Sequence, residues 1–257
     1  MSVVYFHGAP GSPLELNLAG NTGDQVVPLN RLVLPATTSD ELVVALAEQI
    51  TCLTQSGPLR LIGFSMGARW ALAVARRLGA QVERIDLIAP LGPFSLGHYS
   101  RDLKGYPLLE IGRKWPSVLR FALAFQALLA RWAPQKLLQF LLQDSRGEDR
   151  TLSMDPAFRD LILALFRHSL NSDGYWRELV FASEDWSPIL RDVRAPVRIW
   201  HGSEDNWAAS GMSEELVRHL PNASATWLPG LSHYSALKTV LPILLQQDAS
   251  AIGQCGT

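Results

Sequence analysis

An apolar run at residues 59–62 meets a helix-favouring stretch at 68–78 through only Gly63, Phe64, Ser65, Met66 and Gly67. A strand that turns at once into a helix forces its corner residue into a strained backbone and projects that side chain outward. Gly63 and Gly67 remove the Cβ atoms that would collide at such a corner. The residue so displayed is Ser65. A serine hydroxyl is a poor nucleophile at its ordinary pKa and needs an exposed position, nearby amide donors and a base. The corner supplies the first two, because the first amides of a helix have no partner within it and the Met66 amide is placed to bind a developing oxyanion.

Other short apolar runs fall at residues 3–7, 31–34, 59–64, 84–89, 197–201 and 225–228, most of them short enough for strands buried on both faces. Residues 42–53 carry Leu42, Val43, Leu46, Ala47 and Ile50 at helical spacing, with Ser39 or Asp40 available as N-cap. Strands alternating with helices predict a mostly parallel α/β sheet of about six strands flanked by helices, with chemistry gathered at the carboxyl ends of the strands.

The alternation stops at residues 92–192. Val118, Phe121, Ala122, Phe125, Leu128, Leu129 and Trp132 recur every three or four positions, Ala133 and Pro134 break the pattern, and Leu137, Phe140 and Leu141 resume it. Asp155 and Pro156 open a further helix with Phe158, Leu161, Ile162, Leu165 and Phe166 on one face. A helical stretch of this length between strands predicts an inserted cap at 92–192 on a core of 1–91 and 193–257. A last helix is expected at about 236–247, bent or restarted at Pro242.

At 257 residues the chain can bury a substantial core, and a net charge of −1 offers no long-range field for nucleic acid or an anionic membrane. Small or neutral substrates are the expectation. Residues 118–142 are the most apolar stretch, but Arg120, Arg131, Pro134 and Lys136 interrupt it, which argues against a membrane span. No charged segment followed by an apolar one opens the sequence, and the two cysteines, Cys52 on a predicted helix and Cys255 in the polar tail, are too few for a disulfide framework. A reducing cytoplasm is therefore expected.

Six histidines can be weighed as the base. His233 lies in the loop directly after the final strand and should emerge at the same sheet edge as Ser65. His7 and His201 each end a strand before a glycine and are expected to hold loop backbone; His98, His168 and His219 have no assigned role. The base needs an acid to fix its tautomer. Asp205 follows the run 197–201 across a turn and is preferred to its neighbour Glu204, because turns favour Asp and the shorter arm is stiffer. A second oxyanion amide should come from the loop after the first strand, where Pro10 has no N–H and Ala9 is the candidate. Gly8 and Gly11 should let this loop approach a substrate closely. The set calls for neither cofactor nor metal.

The motifs HGAPG, GFSMG, HGSED and GLSH occur in the order found in the α/β-hydrolase superfamily, which the sequence resembles over 2–90 and 195 to about 245. The helical stretch falls where that family carries its lid. The resemblance implies Ser65 as nucleophile, His233 as base, Asp205 as acid, and the Ala9 and Met66 amides as oxyanion hole. One departure is that only Met1 and Ser2 precede the HG strand, so the fold should lack the first two strands of the family and leave a sheet edge exposed or used for pairing.

Phe94, Trp115, Phe121, Phe125, Trp132, Phe140, Phe158, Phe166, Trp176 and Trp186 would give the cap an apolar roof over Ser65 while also packing the cap against itself. This predicts a carboxylesterase-like enzyme for small to medium, largely apolar carboxylic esters, with thioesters, lactones, C–C bonds and acyl transfer served by the same triad. Dehalogenase and epoxide hydrolase chemistry is disfavoured, since those relatives place an aspartate where Ser65 stands. A catalytically silent protein binding an apolar ligand under its lid is the reading from another class, and the intact serine, histidine and acid argue against it. The basic run Arg101, Lys104, Arg113, Lys114 and Arg120 either greets an acidic carrier protein or carboxylated substrate, or is a solvated helix face.

Overall fold

The computed structural model describes residues 1–20, 26–54, 57–97, 99 and 103–253, so the readings made for His98, Arg101 and Cys255 lie outside the described residues. The chain runs β1 (Ser2–Phe6), β2 (Val26–Leu29), α1 (Ser39–Leu53), β3 (Leu59–Phe64), α2 (Gly67–Leu78) and β4 (Val82–Ile88). It then enters α3 (Tyr106–Lys114), α4 (Pro116–Trp132), α5 (Pro134–Leu142), α6 (Asp149–Leu152), α7 (Pro156–Leu170) and α8 (Asp173–Ala182) before β5 (Val197–Gly202), α9 (Ser210–His219), β6 (Ala223–Leu228) and α10 (His233–Gly253). The sheet has six strands in the order β2-β1-β3-β4-β5-β6, and every pairing is parallel. β1 and β2 are laid down in one direction and β3 onward in the other. The crevice at the carboxyl ends of β1 and β3 is therefore the topological switch point, where open parallel sheets bind ligands.

Side chains alternate along β1. Val4 and Phe6 join the cluster that packs α1 and α2 on one face of the sheet, while Val3 and Tyr5 join the one that packs α5, α7 and α10 on the other. All six residues of β3 are buried, as a central parallel strand requires.

Three local expectations change. The second strand is Val26–Leu29, and Arg31–Val33 is a 3-10 turn. Pro28 masks this run in the sequence but is tolerated because β2 is an edge, while Arg31 leaves the sheet to bury its guanidinium elsewhere. The cap of α1 is Thr38, whose extended backbone lets Oγ1 accept from the Glu41 amide at 3.2 Å; Ser39 is already helical. α10 begins at His233 and passes through Pro242 without restarting, held against the sheet by Leu237, Val240, Leu241 and Leu244. The break between α4 and α5 falls at Ala133, and Asp155 caps α7 at the Ala157 amide, 2.9 Å away, both as the sequence predicts.

Candidate active site

Ser65 sits between β3 and α2 with φ at +52°, a left-handed conformation that costs a non-glycine residue about 1–3 kcal/mol and persists only where its surroundings hold it. Here they do. The Ser65 amide donates to Ile88 O at 3.0 Å, and its carbonyl accepts from the Ala68 amide at 3.1 Å and the Leu91 amide at 3.0 Å. A Cβ on Gly67 would lie 2.2 Å from Phe6 O, and one on Gly63 would lie 2.9 Å from Ala68 Cα. Both glycines are thus dictated by the start of α2 pressing on the ends of β1 and β3.

The parallel register sets Gly202 opposite Leu228, so the loops after β5 and β6 leave side by side. The Glu204 amide donates to Leu231 O at 2.9 Å, and Ser232 Oγ donates to Glu204 O at 3.1 Å. Asp205 Oδ2 lies 2.8 Å from His233 Nδ1, while Oδ1 accepts from the Trp207 and Ala208 amides at 2.8 and 3.0 Å. Burial by itself would raise the Asp205 carboxyl, but the charge and hydrogen bond of His233, with help from His201 and the Ala208 amide, outweigh it and hold it below the usual carboxylate range. Glu204, the alternative acid, points into solvent.

The His233 ring stacks on Trp207 and lies against Phe64, with 4.7 Å between the Phe64 and His233 centroids. Phe64 directly precedes Ser65. The structure thus brings the imidazole beside the corner, although among the described residues no hydrogen bond joins it to the serine hydroxyl. Such bonds are often long in unliganded sites and tighten on binding substrate. His201 bonds Ser213 Oγ and Ala208 O, and His7 donates from Nδ1 to Gly8 O; burial lowers the pKa of both rings, which hold loop backbone as expected.

The loop after β1 is fastened by residues that local patterning did not single out. Gly8 donates its amide to the buried Glu15 carboxylate at 2.9 Å, and Tyr5 donates to the same group at 2.8 Å. Arg31 donates to His7 O at 2.6 Å and Gly8 O at 2.9 Å while paired with the buried Glu178 of α8, which also accepts from Trp70 Nε1 at 2.6 Å. Ser169 of α7 closes a two-way hydrogen bond with Gly11. Asp149 of α6 accepts from the Tyr234 and Ser235 amides, capping the helix that begins at His233. The glycines of this loop are required by its packing: a Cβ on Gly11 would strike Glu15 Oε1 at 2.2 Å, and one on Gly8 would press on Phe64. Ala9 and Met66 donate no backbone hydrogen bond among the described residues, which leaves both amides open.

Burial raises the Glu15 carboxyl to about 7, against the opposing Gly8 and Tyr5 hydrogen bonds. Between about pH 4.5 and 7 the unfolded chain loses this proton while the folded chain keeps it, so stability falls as pH rises, by about 3 kcal/mol in all. Glu15→Gln is expected to flatten the decline of unfolding free energy between pH 5 and 8 in urea titrations. An unchanged slope would show that another group titrates there.

A cavity of about 410 Å³ opens at the corner, lined there by Ala9, Pro10, Ser65 and Met66. Its walls are largely apolar, from Leu91, Leu103, Leu108, Leu109, Phe166 and Trp207, with Lys104, Gln126, Gln143 and Asp144 as polar exceptions. Of the ten aromatic residues expected to roof the serine, only Phe140 and Phe166 line it. Phe158 packs in the core below and Trp186 against α2, whereas Trp115, Phe121, Phe125 and Trp132 face solvent. The basic run divides likewise. Lys104 turns inward, donating to Leu141 O at 2.8 Å with its ammonium pKa lowered by burial, whereas Arg113 and Lys114 are exposed. Among the described residues no group of three or more His, Cys, Asp or Glu is disposed to hold a metal ion.

The profile of the Hydrolase_4 family, serine aminopeptidase S33, matches residues 39–236. Among solved structures, a malate-bound thermophilic esterase from Thermogutta terrifontis superposes with a TM-score of 0.69 at 17% identity, covering 100% of this chain and 91% of its own. A hydrolase from Oleispira antarctica gives 0.65 at 15% identity (96% and 89% covered), and a bromoperoxidase from Bacillus anthracis 0.64 at 18% (96% and 91%). At these identities the likeness carries the fold alone, which is that of the α/β hydrolases. No curated protein sequence matches the chain.

Proposed function

The chain belongs to the serine aminopeptidase S33 family of α/β hydrolases, and from that premise we propose that it cleaves small to medium, largely apolar carboxylic esters through an acyl-enzyme on Ser65. The observation that carries the reading is the bonded Asp205–His233 pair set against Phe64, next to a serine held at positive φ that lines an apolar cavity.

In this reading Ser65 Oγ attacks the ester carbonyl as its proton passes to His233 Nε2, and the tetrahedral oxyanion takes the Ala9 and Met66 amides. The carbonyl re-forms, the ester C–O bond breaks and His233 returns the proton to the departing alkoxide. His233 then deprotonates a water, which attacks the acyl-enzyme; collapse releases the acid and restores the serine hydroxyl. Asp205 holds His233 Nδ1 as the protonated nitrogen, so that Nε2 is the basic one. Residues 92–192 serve as a cap, and the buried contacts of Asp149, Ser169 and Glu178 fasten its later helices to the loops that carry His233 and Ala9.

A fluorophosphonate probe tests the assignment. A stoichiometric adduct mapped by mass spectrometry to Ser65 is expected; a folded protein with no adduct would indicate a silent binding protein. Turnover across esters, thioesters and lactones of graded chain length would then rank the leaving groups.

A further inference from the structure

Helix α4 has an apolar stripe on its outside as well as one on its inside. Leu119, Leu123 and Ala130 are buried against neighbouring helices, and Val118, Phe121, Phe125, Leu128 and Trp132 follow one another at intervals of three or four along the opposite, exposed face. Phe121 is 79% exposed, Phe125 61% and Trp132 73%. At 1.5 Å per residue this stripe runs for about 21 Å; Trp115, just before it, and Phe140 of α5 are exposed as well. Single apolar residues on a surface are ordinary; a continuous aromatic row marks a place where something docks.

The charges choose the occupant. Residues 111–143 contain Arg113, Lys114, Arg120, Arg131 and Lys136 and no Asp or Glu, a local excess hidden in the overall net charge of −1. Lys114 pairs with Glu110, whereas Arg113, Arg120, Arg131 and Lys136 make no ion pair among the described residues. Two copies of this face brought together would set like charges against one another. A surface that is apolar below and anionic above would take both the aromatic row and its basic flanks, which is how interfacial amphipathic helices sit.

We propose that the α4–α5 face docks on an anionic lipid surface, with Phe121, Phe125, Trp132 and Phe140 in the acyl boundary and Arg120, Arg131 and Lys136 among the headgroups. Among the described residues no helix is long and apolar enough to cross a membrane, so the association is peripheral. Phe140 also lines the cavity, so the docked face reaches its wall. Delivery of a lipid-borne ester to Ser65 rests on the proposed hydrolase reading; docking itself does not.

The test is flotation of the full chain with vesicles of phosphatidylcholine alone and of phosphatidylcholine with phosphatidylglycerol in equal parts. Binding to the mixed vesicles is expected, at least about tenfold stronger than to the neutral ones and weakened by salt. The triple variant Phe121→Ser/Phe125→Ser/Trp132→Ser should lose about tenfold or more, with an unchanged thermal melt because these side chains are exposed. Arg120→Gln/Arg131→Gln/Lys136→Gln should erase the preference for anionic lipid. Equal flotation of the triple variant, or no flotation of the wild type, overturns the proposal. So does a wild-type dimer in light scattering that the triple variant converts to monomer, which would make the face a copy-to-copy interface. Loss of hydrolysis with binding intact would strike the reaction and leave the docking standing.

Discussion

Ser65→Ala is expected to fold like the wild type and to lose turnover of p-nitrophenyl acetate by about 10⁵–10⁶. The substitution removes one oxygen that has no hydrogen-bond partner among the described residues, so no buried group is left unsatisfied. The corner is held by backbone bonds from Ile88, Ala68 and Leu91 that alanine retains, and the positive φ costs alanine about what it costs serine. Catalysis has no such substitute. Without Oγ the Ala9 and Met66 amides and the apolar cavity can still hold an ester, and such remnants leave a rate about 10³–10⁴ above water alone. The measurement is steady-state turnover beside a thermal melt. Unchanged turnover with an unchanged melt would remove Ser65 from the chemistry.

The parts of the site that the sequence discloses are those made by contiguous residues. The corner of Ser65 is readable because Gly63 and Gly67 are required by contacts within or beside one strand–turn–helix unit. Asp205 is preferable to Glu204 because the turn favours Asp and the shorter arm is stiffer, and the structure turns Glu204 outward. Residues that act across long separations give no local signal. Glu178 meets Arg31 from 147 positions away, Ser169 meets Gly11 from 158, and Asp149 meets the start of α10 from 85. The one available hint is compositional. Arg31 lies in a run otherwise apolar enough to pass for a strand, and Glu178 occupies a buried helical position between Trp176 and Leu179. A charge at an apolar position calls for an opposite charge at another, and pairing two such anomalies would have located the brace. The aromatic roof failed for a different reason. Spacing identifies a helix with two apolar stripes, but not which of them packs inward against its neighbours, and in α4 the larger side chains took the outside.

Asp205→Asn is expected to reduce kcat for p-nitrophenyl acetate by about 10⁴ while keeping the fold. Asparagine matches the carboxylate in shape, and its carbonyl can still accept from the Trp207 and Ala208 amides that hold Oδ1. Its NH₂ group then faces His233 Nδ1, where Oδ2 stands at 2.8 Å. A donor at that position makes Nδ1 an acceptor and moves the imidazole proton to Nε2, so the nitrogen that should receive the serine proton already carries one. The loss should therefore fall on kcat rather than on KM, since the cavity walls are untouched. The charge has a pH signature in stability as well. Because the folded carboxyl lies below its ordinary value, the pair stabilises the wild type above the ordinary carboxylate pKa, and that contribution fades as pH falls through the depressed one. Asp205→Asn should remove this part of the acid-side decline in urea unfolding. Glu204→Gln is the control: its side chain is exposed, and its rate should stay within about twofold of wild type. Comparable losses in the two variants, or a loss confined to Glu204→Gln, would transfer the acid's role away from Asp205 and with it the tautomer argument for His233.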